Sequence, residues 1–513
     1  MLKSMQMFVV LLLTAASVTL AADAVPEDTV NIGSRRELFL DDYLIANRDK
    51  VDILVHRPDR KEISLVFNKP WEGDSQSYFT TFQDDQKYRM YYHAWGQFPS
   101  SKLLSICYAE SDDGINWTCP ELGICEFEGS TANNIVINHF GEDFLNHDFN
   151  PFWDKKPGTP PEQKYKAVGF GYSPSDPDKG GLFAWSSPDA IHWTLMQEAP
   201  ILRGYAFDSQ NVAFWSEKDN CYVLYFRHFA NGVDVVVGTR IVMKATSDDL
   251  LHWTVQGTLQ FPEGEGPVHG AQYYTNQIKE YYRAPETLIG FPARYVDHGG
   301  TESTKLLPEW DLREKRIKIE QRLGTTVTDS VFIWSRDGMN FRQSNDVFVA
   351  PGLRTKHNWC YGDNYLSWHV VETASADDDS PRELSIYAVE SYQTDNESRL
   401  RRYTLRLDGF SSLHAKNQQG TVTTKPIIFE GAQLSLNAAT SAAGEIRVEV
   451  LRPDGSVIPG FSSEECDLIY GDSLDRRVTW KGNADMTPLA GQPIVLRFTM
   501  KEADLYSIKW EQQ

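Results

Sequence analysis

One seven-residue pattern, Ser-x-Asp-x-x-[Asn/His]-[Trp/Phe], occurs four times in the chain, over residues 111–117, 187–193, 247–253 and 335–341. Each copy follows an apolar or alternating run (104–109, 181–185, 242–246, 331–334) and precedes another short strand-like run. Ser and Asp side chains accept backbone N–H groups inside a tight turn, and an aromatic residue just after the turn can fold back over it. The copies therefore read as one hairpin used repeatedly, at intervals of 76, 60 and 88 residues. Spacings this uneven require loop insertions between otherwise similar units.

A repeated β-meander that buries both faces against its neighbours is the blade of a propeller. Two further strands precede each of the first three turns, at 77–82 and 88–93, 148–153 and 165–170, and 211–215 and 222–226. A fourth unit begins near His269. A fifth lacks the turn but keeps strand-like runs at 361–366, 384–389 and 400–405, giving about 72 residues per unit between Trp71 and Glu430. The expectation is an all-β chain: a five-bladed β-propeller over 71–430 and a C-terminal β-sandwich over 431–513, where alternating strands meet Pro-Asp-Gly and Pro-Gly turns. The segment 25–70 precedes the propeller, and its runs at 36–41 and 51–55 are candidates for a ring-closing strand. Trp480 and Trp510 are either core or a sugar-binding face of the sandwich.

Residues 1–24 have the order of a secretory signal: Lys3, an apolar core at 8–13, then small residues ending in Ala21-Ala22-Asp23-Ala24. The product is expected to be secreted or periplasmic, without membrane insertion, since no later run is long and apolar enough to span a bilayer. A formal charge of −21 argues against nucleic acid as a partner, because a binder must neutralise phosphates. Six sparse, irregularly spaced cysteines are not a disulfide framework, although Cys119 and Cys125 could close a small loop. No metal-ligand motif stands out, so no cofactor is required by the sequence; a divalent cation in the axial channel is compatible with it. No protein partner is indicated.

The turns, above all residues 247–253, resemble those of the five-bladed β-propeller glycoside hydrolases, the superfamily containing families 32, 43, 68 and 117. The resemblance covers roughly residues 70–430, and residues 38–45 and 70–73 add a likeness to family-32-like secreted proteins. Sialidase Asp-boxes are similar too, with one more residue between Asp and Trp. The resemblance implies a glycosidic bond hydrolysed in the axial funnel by carboxylates at the starts of the first three inner strands, one protonating the leaving oxygen and another attacking or activating water. The matching positions are Glu72 (with Asp74 beside it), Asp148 and Asp208, with Glu390 as a reserve acid. The types at Glu72 and Asp208 are reversed from the family-43 pattern, and the family-32 Asn-Asp-Pro-Asn-Gly string is absent.

Aromatic rings stack on sugar faces while Arg, His and amides bind hydroxyl or acidic groups. Candidates for substrate contact are Trp71, His147, His269, Gln272, Tyr273, Arg283, Arg294 and Trp359, with Tyr274 as a further platform. Two other classes remain open. A binding propeller without catalysis would need no convergent acids. A sialidase-like or lyase enzyme acting on acidic sugars would gather arginines and a tyrosine around one pocket.

Overall fold

The computed structural model describes residues 26–96, 104–138, 145–172, 180–231, 238–267, 270–356, 358–377, 379–394 and 398–512. Five antiparallel sheets follow one another around an axis. Blade I is built from Ser75–Gln83, Tyr88–Trp95, Leu104–Ser111 and Ile135–Ile137. Blade II comprises Asn150–Trp153, led in by Leu145–Asn146, then Tyr165–Tyr172, Gly181–Ser187 and Thr194–Leu195. Blade III comprises Val212–Ser216, Cys221–Ala230, Thr239–Ser247 and Thr254–Thr258. In blade IV the inner strand is split into Gln272–Tyr273 and Lys279–Tyr281, facing a second strand split into Ala284–Gly290 and Ala293–Asp297. Pro292 lies at that second break, where a missing N–H interrupts a ladder at no further cost. Thr326–Ser335 and Phe341–Val349 complete the blade.

All four repeated turns join the third strand of a blade to its fourth, and they share one hydrogen-bond pattern. In the first, the Ser111 hydroxyl accepts from Gly114 N at 2.9 Å, and Asp113 Oδ1 accepts from Ile115 N and Asn116 N at 2.7 and 2.8 Å. The same set recurs at Ser187 and Asp189, Ser247 and Asp249, and Ser335 and Asp337. The residue after each Asp has φ near +70°: Gly114 and Gly338 adopt it freely, and Ala190 and Leu250 are held there by the Ser–Asp bonds. Three turns are also latched to the preceding blade by a tyrosine hydroxyl, Tyr387 on Gly114 O, Tyr91 on Ala190 O and Tyr225 on Gly338 O. The repeat thus specifies blade-to-blade docking as well as a turn.

Blade V consists of Val371–Thr373, Glu383–Glu390 and Arg399–Arg406, and its outer strand is Asp59–Val66 from the N-terminal segment. A blade whose fourth strand comes from elsewhere has no third-to-fourth hairpin, which is why the fifth turn is missing from the sequence. The ring is therefore closed by 59–66. The two runs expected to close it join the C-terminal sheet instead: Glu37–Leu38 pairs with Val495–Glu511, and Val51–Val55 pairs with Ser411–Ala415.

That sheet is dominated by two long strands, Gln433–Leu451 and Val495–Glu511, paired along their length. It begins earlier than residue 431, because Ser411–Ala415 and Gly420–Thr424 also pair with Val495–Glu511. Trp480 and Trp510 are buried in its core, Trp510 stacked 4.5 Å from Phe429, so neither forms a sugar-binding face. Asp408 rivets this part to the propeller: it is fully buried and accepts from Arg36, Arg283, Tyr281, Ser507 and Asn437. All six cysteines are free thiols. No helix among the described residues is long and apolar enough to cross a membrane.

Candidate functional site

The inner strands run in one direction around the axis, so their starts surround one mouth and their ends the other. Between the mouths lies a belt of buried amides. Gln210 donates to Phe79 O at 3.0 Å, Gln277 donates to Gln210 Oε1 at 2.6 Å, and Thr80 donates to Asn150 Oδ1 at 3.3 Å. The two mouths can therefore be treated as separate sites.

At the start mouth, a cavity of about 80 Å³ is lined by Ser77, Tyr78, His93, Trp95, His147, Asp208, Tyr274, Arg322, Leu323, Tyr361, Tyr392 and Gln393. Arg322 and Leu323 belong to a helical insertion in blade IV (Glu302–Lys305, Trp310–Ile317, Arg322–Thr325), which reaches over the funnel. Asp208 is half-exposed; His147 Nε2 lies 3.1 Å from its Oδ1, and Arg227 Nη2 lies 3.8 Å from its Oδ2. Loss of water at the cavity wall works against its charge, but His147, Arg227, Arg322 and Arg240 together hold its carboxyl down at about 2. Burial lowers His147, and burial together with His147 takes His93 down to about 3, so both rings are neutral near pH 7. With Asp208 ionised, His147 Nε2 carries the proton and donates it to the carboxylate. Its Nδ1 is buried without a partner, and the ring stacks on His93 at 5.4 Å. On the other wall Tyr361 donates to Tyr274 Oη at 3.0 Å, and Arg322 donates to Tyr361 Oη at 3.1 Å.

Of the three carboxylates expected to converge, only Asp208 lines this cavity. Glu72 is buried beside the first inner strand, where it accepts from Tyr92 Oη at 2.6 Å and Lys69 N at 2.9 Å and closes the turn before the strand; burial raises its carboxyl. Asp148 is fully buried between blades II and III, accepting from Phe170 N, Asn150 at 2.8 Å and Asn211 at 3.2 Å. Burial outweighs those donors and pushes it up to about 7. Asp and Glu are the side chains best able to collect several N–H groups, so they serve turns and blade junctions as readily as chemistry. Glu390 is held by Arg60 and Arg401.

The expected sugar contacts divide similarly. His147 lines the cavity and Gln272 sits behind it, accepting from Arg240 Nη1 at 2.9 Å. Tyr273 is buried and donates to Gln343. Arg283 belongs to the Asp408 rivet, and Arg294 forms a two-pronged pair with Asp329 at 2.8 and 2.6 Å. Trp71 donates to Asn134 Oδ1 at 2.7 Å, and Trp359 to Gly352 O at 2.9 Å, both off the cavity wall. His269 and the 1–24 signal lie outside the described residues. Arg227 and Arg240, which the sequence reading passed over, stand on neighbouring strands of blade III. Their signal was present as charged residues in the apolar strands Cys221–Ala230 and Thr239–Ser247.

The end mouth opens into a larger cavity of about 710 Å³ lined by aromatics (Phe82, Trp153, Phe214, Trp215, Tyr282) and by charges of both signs. There Glu372 pairs with Arg382 at 3.0 Å, and Glu280 accepts from Ser216. Burial pushes Glu280 up to about 7 and Lys279 down to about 8. His369 is buried with neither ring nitrogen partnered, and burial keeps it neutral. Among the described residues no group of three or more His, Cys, Asp or Glu side chains could hold a metal ion.

No family model matches the chain, and no curated protein matches it. Solved structures similar to it include the GH32 β-fructofuranosidase BmSUC1 of Bombyx mori (8% identity, 90% of this chain and 94% of that one, TM-score 0.41). Also similar is an exo-inulinase from Aspergillus awamori (10%, 87% and 100%, 0.38). A third is an N-acetylgalactosamine deacetylase from F. plautii in complex with blood group B trisaccharide (9%, 70% and 96%, 0.43). Similarity at this level is silent on substrate and reaction.

Proposed function

We propose that the protein binds and cleaves a carbohydrate at the start mouth of the propeller, with Asp208 as the acting carboxylate. The observation that carries this reading is the meeting of Asp208 with His147 at 3.1 Å in a cavity walled by tyrosines. Tyrosine faces pack against sugar C–H groups while their hydroxyls and the His and Gln side chains meet sugar hydroxyls. In the proposed reaction water adds to the anomeric carbon as the glycosidic C–O bond breaks. Asp208 takes the proton from that water, and the Tyr274–Tyr361 hydroxyl pair delivers one to the leaving oxygen, so the products are two free sugars. His147 positions Asp208. The export signal expected over 1–24 would place this activity outside the cytoplasm, where polysaccharides are met.

The test is a screen of plant and algal oligosaccharides, followed by Asp208→Asn on whichever is cleaved. Turnover should fall by about 10²–10⁴-fold with the fold intact. Wild-type turnover in Asp208→Asn would overturn the assignment. A second reading, binding without turnover, is favoured by one observation: Asp208 is the only carboxylate among the described residues lining this cavity, whereas glycoside hydrolysis ordinarily uses two. Saturable binding to the wild type with no product would select it.

A further inference from the structure

Behind Asp208, among the described residues, the funnel holds more positive charge than it neutralises. Arg227 and Arg240 lie on paired strands and share two rings, with guanidinium carbons 5.0 and 5.7 Å from the centre of Phe229 and 5.9 and 4.9 Å from that of Tyr274. Arg240 is only 2% exposed, stacks also on Tyr295 at 4.6 Å, and makes its side-chain hydrogen bond to a neutral group, Gln272. Its Nε and Nη2 are buried and have no hydrogen-bond partner among the described residues, and Arg227 Nη1 is in the same state. Arg322, on the opposite wall, is answered by Glu320 at 2.5 Å, which leaves the half-exposed Asp208 as the carboxylate facing the other two.

A buried guanidinium with unmade hydrogen bonds and only a shared counter-charge is among the more costly groups a fold can carry, and such groups persist where a ligand completes them. Guanidinium suits carboxylate and sulfate, whose paired oxygens match its donor fork. The cavity's 80 Å³ takes one oxyanion group but not a sugar ring, so the ring would rest at the tyrosine-lined mouth with its acidic substituent directed inward, past Arg322 on the wall and toward Arg227 and Arg240, which stand behind Asp208 and Tyr274.

We infer that the carbohydrate taken by this funnel is acidic, carrying a carboxylate or sulfate group that is received by Arg240 and Arg227. This inference rests on the carbohydrate reading above and adds the charge of the sugar to it.

The test is calorimetric titration of the full chain with four sugar probes: trigalacturonate and its carboxyl-reduced counterpart, and a sulfated galactan tetrasaccharide and its desulfated form. Trimeric glutamate serves as an acidic non-sugar. One acidic sugar should bind at least 10-fold more tightly than its neutral partner, and which of the two does so distinguishes carboxylate from sulfate. Arg240→Met should abolish that preference, as should Arg227→Gln if the first variant does not fold. Equal binding of acidic and neutral sugars, or an unchanged preference in the folded variant, would overturn the inference and leave the carbohydrate reading standing. Binding of glutamate with no sugar bound, or no binding at all, would remove the carbohydrate reading and this inference with it.

Discussion

The two mouths of the propeller axis are built from opposite ends of the same five inner strands, yet they handle charge differently. At the end mouth, Glu372 meets Arg382 and Tyr282, and the buried side chain without a partner among the described residues, His369, is neutral. At the start mouth the unpartnered buried groups include neutral ones, His93 Nε2, His147 Nδ1 and Gln393 Oε1, but also the guanidinium donors of Arg227 and Arg240, and one carboxylate faces several cations. Among the described residues the larger cavity thus leaves no buried charged donor unmade, whereas the smaller one is backed by several. Volume alone selects the end mouth; counting unmade charged hydrogen bonds selects the start mouth.

That contrast can be broken at several points. The largest effect is on turnover. Asp208→Asn should lower kcat/KM by about 10²–10⁴-fold, while Glu280→Gln at the end mouth should leave it within about 3-fold. Comparable losses from both would dissolve the distinction between the mouths.

The next effect is on stability against pH, and the two ends have opposite signs. Asp208 is held at about 2, below its unfolded value, so its contribution is present above the unfolded value and is lost as pH falls toward 2. Glu280 is raised to about 7, so the folded state keeps a proton that the unfolded chain releases near 4.5, and stability is lost as pH rises between those values. Glu280→Gln should remove that loss, worth at most about 2 kcal/mol once partial exposure is allowed for. Urea unfolding at pH 5 and pH 7.5 measures it, and an unchanged pH dependence in the variant would contradict the assignment.

The smallest effect separates the ends by sign again. Arg240→Met replaces an unpaired buried charge with an apolar side chain among Tyr274, Tyr295 and Phe229, and should stabilise the ligand-free protein by about 1 kcal/mol. Glu372→Gln, which breaks a partly exposed pair, should destabilise by about 0.5 kcal/mol. Denaturant midpoints of the two variants moving in the same direction would show that the start mouth is already charge-balanced.

The sequence made the blades legible because their signature is local: the Ser and Asp of each turn bond within five residues of themselves, so the pattern survives in linear order. Ring closure was not legible in the same way. Pairing of Asp59–Val66 with Arg399–Arg406 spans most of the chain, and nothing in either strand names the other. The site was legible only in part. Asp208 and His147, singled out for their place at inner-strand starts, both line the start-mouth cavity, but Glu72 and Asp148 occupy equivalent places and are consumed by a turn and a blade junction. Residue type and position do not distinguish a carboxylate that collects backbone N–H groups from one that faces a cavity. Arg227 and Arg240 come from the second and third strands of blade III, and Arg322 from an insertion, so no motif gathers them before the fold does.

The most direct measurement is a crystal structure of the Asp208→Asn variant soaked with whichever acidic oligosaccharide binds best. The account predicts density at the start mouth, with a carboxylate or sulfate oxygen in hydrogen-bond contact with Arg240 or Arg227 and the sugar ring against Tyr274 or Tyr361. Sugar density confined to the end mouth, between Trp153, Trp215 and Tyr282, would contradict it.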